Sequence, residues 1–256
     1  TPTASISNNS ATISDLGNNR WTGTYTMQEN DEDGVIPFQI DSLTDSRGNP
    51  TEGTSETTDE TEVTFDNTAP TLSPVSIKSN NPDTTWAKVG DTVTVTFTGD
   101  ELLSTQVGTI VTQTATISDL GSETYTASYE MAETDPEGVI EFEIIVTDSV
   151  GINSDPVTET TDESAVIFDR TLPTLSMVHI ESNNSNNIVI AIEGDEVYLS
   201  FTPEEPLIMD SIVVTIGGEA TTFTETDGTY TATLIMSGDE PEGILDFTID
   251  FKDRAG

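Results

Sequence analysis

Apolar and polar residues alternate one for one along much of this chain. In Asp91–Phe97, Val93, Val95 and Phe97 fall on one face; in Gly138–Val146, Ile140, Phe142, Ile144 and Val146 do so. Tyr125, Ala127, Tyr129 and Met131 form a third such set, and the pairs Val75/Ile77 and Val166/Phe168 continue the pattern. A period of two puts alternate side chains on opposite faces of an extended backbone, so these runs predict half-buried antiparallel strands. No window carries an apolar stripe of helical period with caps. Turn-forming clusters lie between the runs: Ser-Asn-Asn-Pro-Asp from Ser79, Lys-Val-Gly-Asp from Lys88, Asp-Pro-Glu-Gly from Asp135, Asp-Ser-Val-Gly from Asp148. The predicted strands are Thr71–Lys78, Asp91–Thr98, Val107–Thr112, Tyr125–Met131, Val139–Thr147 and Ala165–Phe168. Ala115–Leu120 supplies a further strand or a crossing between sheets.

The same phrases recur. Ser55–Ile77 is nearly repeated at Thr158–Ile180, Ala11–Gly17 at Ala115–Gly121, and Val89–Thr98 at Glu193–Thr202. The segment from Tyr125 has relatives starting at Trp21 and at Tyr230, and the interval is 103 to 105 residues throughout. That period is too long for a solenoid and fits one small domain with its own core. About seven short strands per repeat predict an all-β chain of tandem immunoglobulin-like β-sandwich domains. On the alignment, residues 1–66 are the C-terminal part of one domain, 67–169 a complete domain, and 170–256 a domain lacking its last strand. The first and third repeats are thereby expected to leave open edges, to be closed by flanking sequence or a neighbouring chain. The links around Pro70 and Pro173 are short and restricted, which predicts repeats set end to end.

Seven basic residues against 47 acidic ones give a formal charge of −40. This argues against nucleic-acid binding and against a stable contact with anionic lipid. No run of 18 apolar residues offers a membrane span in this segment. With no cysteine, disulfides do not staple the domains. Such charge suits a solvated surface in salty water, or a set of carboxylates that holds divalent cations; the two are compatible.

Placing the loops on the sandwich groups the acidic residues at two junctions. At the first, Asp31, Asp33 and Asp66 of one repeat face Asp100, Glu101 and Asp148 of the next; at the second, Asp135, Glu137 and Asp169 face Glu204, Glu205 and Asp253. Calcium takes six to eight oxygens from such groups, so Ca2+ is the cofactor this arrangement suggests. Each residue also has a plain structural reading. Asp148 can accept turn N–H bonds, Asp135–Gly138 is a sound turn without metal, and Asp66 and Asp169 can simply end a strand. No dense EF-hand loop is present.

Catalysis is not expected. His179 is the sole histidine, and there is no glycine-rich phosphate loop and no zinc-ligand spacing. Trp21 aligns with Tyr125 and Tyr230 and reads as a core position, whereas Trp86 reads as a packing residue or a sugar contact. Asn8 and Asn183 lie in Asn-x-Ser sequons.

The phrases Ala87–Leu103, Tyr125–Ile144, Thr147–Asn153 and Val166–Leu175 resemble Ig-like repeats of large bacterial and archaeal cell-surface proteins, which build adhesin stalks and S-layer subunits. The resemblance implies an extracellular, cell-surface structural module, often stabilised by calcium. Its partners would be neighbouring repeats of the same longer chain, or identical chains in a lattice or fibre. The expected role is a non-enzymatic, calcium-stiffened spacer or surface-lattice element. The alternative is a glycan- or protein-binding adhesion module. The copies differ by scattered surface exchanges rather than by an insertion in one of them, which favours the spacer.

Overall fold

The computed structural model describes residues 2–240 and 242–256. Their regular structure is all β apart from a single 3-10 turn at Met209–Ser211, and no helix among them is long and apolar enough to cross a membrane. The chain divides into two compact units. One comprises Thr1–Thr71, Gly99–Gln106 and Ile145–Pro156; the other comprises Leu72–Thr98, Val107–Ile144 and Val157–Gly256.

The second repeat shows the sandwich most fully. One antiparallel sheet runs in the order Thr116–Gly121, Thr124–Glu130, Thr92–Gly99, Leu72–Ser79. The other runs Gln113–Thr114, Leu103–Ile110, Phe142–Asp148. The alternation sets what is buried. Val75, Ile77, Val93, Val95, Phe97 and Ala127 of the first sheet, and Ile110, Ile144 and Val146 of the second, are all withdrawn from solvent. Each large apolar side chain so buried contributes about 1.5–3 kcal/mol, and a slip of one residue in register would return all of them to water. Phe97 stacks on Tyr125 with ring centroids 5.8 Å apart. Gly108 allows close approach here: a Cβ at that position would meet Ile144 Cδ1 at 2.8 Å and Ala127 Cβ at 3.2 Å.

The third repeat follows the same plan. Its four-stranded sheet is Leu175–Ser182, Glu196–Pro203, Thr229–Ile235, Phe223–Thr226, and its three-stranded sheet is Glu219–Thr221, Val213–Ile216, Phe247–Asp250. Val197, Leu199, Phe201, Val214, Ile216 and Ala232 form its core. In the first repeat the described strands pair as Ala4–Ile6 with Asn9–Ser10 and Phe38–Ile40, Thr12–Gly17 with Arg20–Thr24, and Gly34–Val35 with Thr64–Phe65.

Several expectations need correction. The strand predicted at Val107–Thr112 runs earlier, over Leu103–Ile110. Val111 and Thr112 adopt positive φ (46° and 69°) and turn the chain back into Gln113–Thr114. Neither residue is a usual turn former, so the reversal carries no signal in composition. The open reading of Ala115–Leu120 resolves as the strand Thr116–Gly121, with a bulge between Asp119 and Gly121. The predicted Val139–Thr147 strand is broken. Phe142–Asp148 stays in the sandwich, while Gly138–Val139 joins a small sheet with Ile167–Phe168 and Trp86–Ala87. Trp21, read as a core position, is 42% exposed here, against 6% for its aligned Tyr125. Tyr125 and Tyr230 are covered by Phe97 and Phe201, and the strand carrying that phenylalanine has no counterpart among the described residues of the first repeat. His179 lies at the surface, 3.4 Å from Glu181.

Candidate metal centres

Strand Phe142–Asp148 ends in a tight turn that Asp148 itself organises. Its Oδ1 accepts the backbone N–H groups of Val150 (2.8 Å), Gly151 (2.6 Å) and Ile152 (2.9 Å). Gly151 sits at φ +100°, a conformation that suits glycine. This is the turn role anticipated for Asp148, and it uses one oxygen only. The residue is fully buried, and its Oδ2 has no hydrogen-bond partner. A buried anionic oxygen without a partner is costly, and native proteins seldom retain one without a ligand. The corresponding turn of the first repeat offers a contrast. There Asp45 holds Arg47 and Asn49 N–H with Oδ1, but its Oδ2 accepts the Asn49 side chain at 2.9 Å.

Two other carboxylates converge on Asp148. Glu101 sits in the turn between strands Thr92–Gly99 and Leu103–Ile110, and Asp66 directly follows strand Thr64–Phe65. One oxygen from each of Asp66, Glu101 and Asp148 lies within 4.8 Å of the others. The same arrangement recurs with Asp169, Glu205 and Asp253. Asp253 is buried, and its Oδ1 accepts Gly256 N–H at 2.7 Å. Each trio lies within one of the two compact units. Burial pushes the Glu101 carboxyl above the usual glutamate range, helped by the nearby charges of Asp66, Asp148, Asp100 and Asp33. Glu205 is raised in the same way, by burial first and then by Asp169, Asp253, Glu137 and Glu204. Neither the Arg170–Glu137 ion pair nor the His179–Glu181 contact involves a member of either trio.

The remaining predicted ligands do other work. Asp33 accepts Asn67 N–H at 2.8 Å and the Thr68 hydroxyl. Its counterpart Glu137 accepts Arg170 N–H (3.1 Å) and the Thr171 hydroxyl (2.7 Å), which hold its carboxyl below the usual range. Asp100 accepts Thr71 N–H (2.9 Å) and the Thr71 hydroxyl (2.6 Å) and is lowered likewise; Glu204 accepts the Thr174 hydroxyl at 2.6 Å. These four carboxylates clamp the links between repeats. Asp31 and Asp135 brace their own turns, accepting Gln28 N–H and Ala132 N–H, each at 2.7 Å. The twelve predicted residues therefore divide into six that converge in two trios, four that hold the links, and two that fix turns. Sequence reasoning passed over the linker threonines, Thr68, Thr71, Thr171 and Thr174. Their signal was the pattern Asp-x-Thr-x-Pro-Thr, written at both Asp66 and Asp169.

The trios fit a hard divalent cation. All their donors are carboxylate oxygens, which suit calcium or magnesium rather than a softer metal. Three like charges brought together and partly buried call for a counter-charge, and the orphaned Oδ2 of Asp148 calls for a ligand.

Neither a family model nor a curated protein matches this chain. Solved structures do. One, described as bearing on host cell-surface retention of a 1.5-MDa bacterial ice-binding adhesin, aligns over 100% of this chain and 81% of its own, with a TM-score of 0.54 at 17% identity. At that identity the likeness is one of fold, and it agrees with the all-β sandwich described above. A Ca2+-stabilised ice-binding adhesin from an Antarctic bacterium aligns over 98% of this chain and 64% of its own, at 15% identity and TM-score 0.41. A Bacteroides ovatus protein solved with a mixed-linkage heptasaccharide aligns over 100% and 55%, at 15% identity and TM-score 0.22. The last two are too distant in geometry to bear on this chain.

Proposed function

We propose that this chain is a non-enzymatic structural segment of an extracellular surface protein, a spacer whose repeats are joined by Ca2+. The observation that carries the reading is the trio Asp66–Glu101–Asp148 with its buried, unpartnered Asp148 Oδ2, written a second time as Asp169–Glu205–Asp253. Each trio draws one carboxylate from the end of one repeat and two from loops of the next. An ion held there would tie consecutive repeats and neutralise their mutual repulsion. The link clamps Asp33/Thr68 and Glu137/Thr171 bring the chain to the same place by hydrogen bonds. Asp66, Glu101 and Asp148 would hold the first ion and Asp169, Glu205 and Asp253 the second, with water or backbone carbonyls completing the six to eight oxygens calcium takes. An acidic, cysteine-free array of repeats that gains rigidity from millimolar calcium suits the outside of a cell, as a stalk or lattice element.

The test is calorimetric titration of the chain with Ca2+ after chelation, beside thermal melts. Saturable binding is expected with affinities near ~10⁻⁴ M, as for extracellular modules. At about 100-fold excess over that constant, each independent site adds about 2.7 kcal/mol. Magnesium should do less, because it keeps its waters and demands a smaller octahedron. Identical melts in chelator and in calcium, with no binding heat, would overturn the reading and leave the acidic residues as solubilising surface.

A further inference from the structure

The loop at residues 79–88 of the second repeat bonds to two of the three segments that carry the second trio. At one place Ala87 O accepts Asp169 N–H (2.9 Å) and Thr85 O accepts Ile167 N–H (2.8 Å). Strand Ile167–Phe168 is thereby seated beside Trp86–Ala87, in parallel register, and Asp169 directly follows it. At the other place Asn81 Nδ2 donates to Ala255 O at 2.8 Å, across 174 residues of sequence. Ala255 belongs to the turn that Asp253 organises, where Asp253 Oδ1 accepts Gly256 N–H at 2.7 Å. One loop of the second repeat thus holds both Asp169 and the turn of Asp253. Glu205 stands apart from it, in the turn that follows strand Glu196–Pro203. All of these residues lie in one compact unit.

Asn81 is fully committed to this contact. It is 6% exposed, and Ala255 is 3% exposed. An asparagine amide offers two N–H donors and one acceptor oxygen. Nδ2 serves Asp91 Oδ2 (2.8 Å) inside the loop and Ala255 O outside it, and Oδ1 accepts Asp83 N–H (3.1 Å). Its backbone N–H goes to Ser79 Oγ (3.1 Å), which in turn donates to Trp86 O. The group that grips the third repeat is therefore wired to the short strand on which Ile167–Phe168 is seated. A charge contact accompanies the grip. The Asp83 carboxyl is held below the usual aspartate range first by the Thr85 hydroxyl and N–H, and further by Arg254, the neighbour of Asp253.

The third repeat shows what the loop needs for its own fold. Asn184 takes the place of Asn81: its Nδ2 donates to Asp195 Oδ2 (2.7 Å) and its Oδ1 accepts Asn186 N–H (3.0 Å). It makes no bond to another repeat among the described residues, and the loop has the same internal bonds. The second donor of Asn81 is thus spent on the junction and not on the loop.

We propose that this loop is the template of the second metal centre: it fixes the placing of Asp169 against Asp253, with Asn81 as the positioning residue that clips the Asp253 turn. The inference rests on the metal reading above. Like-charged ligands do not gather unaided, and groups behind the ligands that hold them in place strengthen metal affinity. The ion and the contact between repeats are coupled, so the clip favours the ion and the bound ion favours the clip to the same degree.

The test is calorimetric titration with Ca2+ of the full 256-residue chain carrying D148N, which leaves the second trio to be read alone. Adding N81A should raise the dissociation constant about 10-fold, the lower end for groups that orient metal ligands. Adding N184A instead removes the same bond within its own loop and should leave the constant as it was. Amide exchange on the unsubstituted chain gives a second readout: calcium should slow exchange of Asn81 and Asp83 N–H together with Gly256 N–H. Should N81A fail to fold, that measurement decides alone. Equal constants for the N81A and N184A chains, or no slowing at Asn81 and Asp83, would overturn this inference and leave the metal reading standing. No binding heat from the unsubstituted chain would overturn both.

Discussion

Replacing Asp148 by asparagine separates its two roles. Asparagine keeps an oxygen to accept the three N–H bonds of Val150, Gly151 and Ile152, so the turn survives. It removes the charge from the trio. At 4.8 Å, the outer limit of separation within the trio, each like-charge pair costs about 0.9 kcal/mol even at the dielectric of water. Asp148 takes part in two such pairs, so in chelator D148N should gain about 2 kcal/mol. For a chain of this size that raises the melting temperature by roughly 4–8 °C. Calcium reverses the order. With the free ion at about 100 times the dissociation constant, the wild type gains about 2.7 kcal/mol from this site and the variant loses that gain. The variant then melts below the wild type by the difference, about 0.7 kcal/mol. The assay is differential scanning calorimetry of both proteins in EDTA and in ~10 mM calcium, about 100 times a constant near ~10⁻⁴ M. A variant that shifts the melt equally in both buffers would show that Asp148 serves the turn alone, and the argument from its free oxygen would fail.

Three further outcomes follow from the same geometry. Because the folded chain raises Glu101 and Glu205 above their ordinary range, it binds more protons than the unfolded chain just above that range. Their contribution to stability therefore falls as pH rises through it, and in chelator E101Q and E205Q should gain more on the wild type at about pH 7 than at about pH 4; equal gains at both would deny the shift. Glu137→Ala frees Arg170 N–H and the Thr171 hydroxyl, so trypsin should cut after Arg170 several-fold faster in native conditions, and an unchanged rate would mean the clamp does not restrain the link. Gly108→Val drives side-chain atoms into Ile144 and Ala127 and should cost about 1–3 kcal/mol in urea unfolding, although Val214 fills the equivalent place in the third repeat; no loss would mean that the two sheets can part there freely.

The alternation of apolar residues by itself determined the strands. Val93, Val95 and Phe97 can share a buried face only in extended backbone, so fold class, repeat length and most core residues were legible in the chain. The repeated acidic residues were legible too, as a set near each link. What they do was not. Asp33, Asp66 and Asp100 are alike in sequence, but Asp33 and Asp100 find threonine hydroxyls and backbone amides, whereas Asp66 meets Glu101 and Asp148. That sorting depends on where loops from two repeats meet, over separations of 35 and 47 residues between the trio's members. Local pattern carries no record of such distances. The turn at Val111–Thr112 escaped for a related reason: two residues that prefer other conformations are held at positive φ by the strands on either side. Sequence periodicity fixes which face a residue takes within its strand, and only the assembled sheets decide what, if anything, lies across from it.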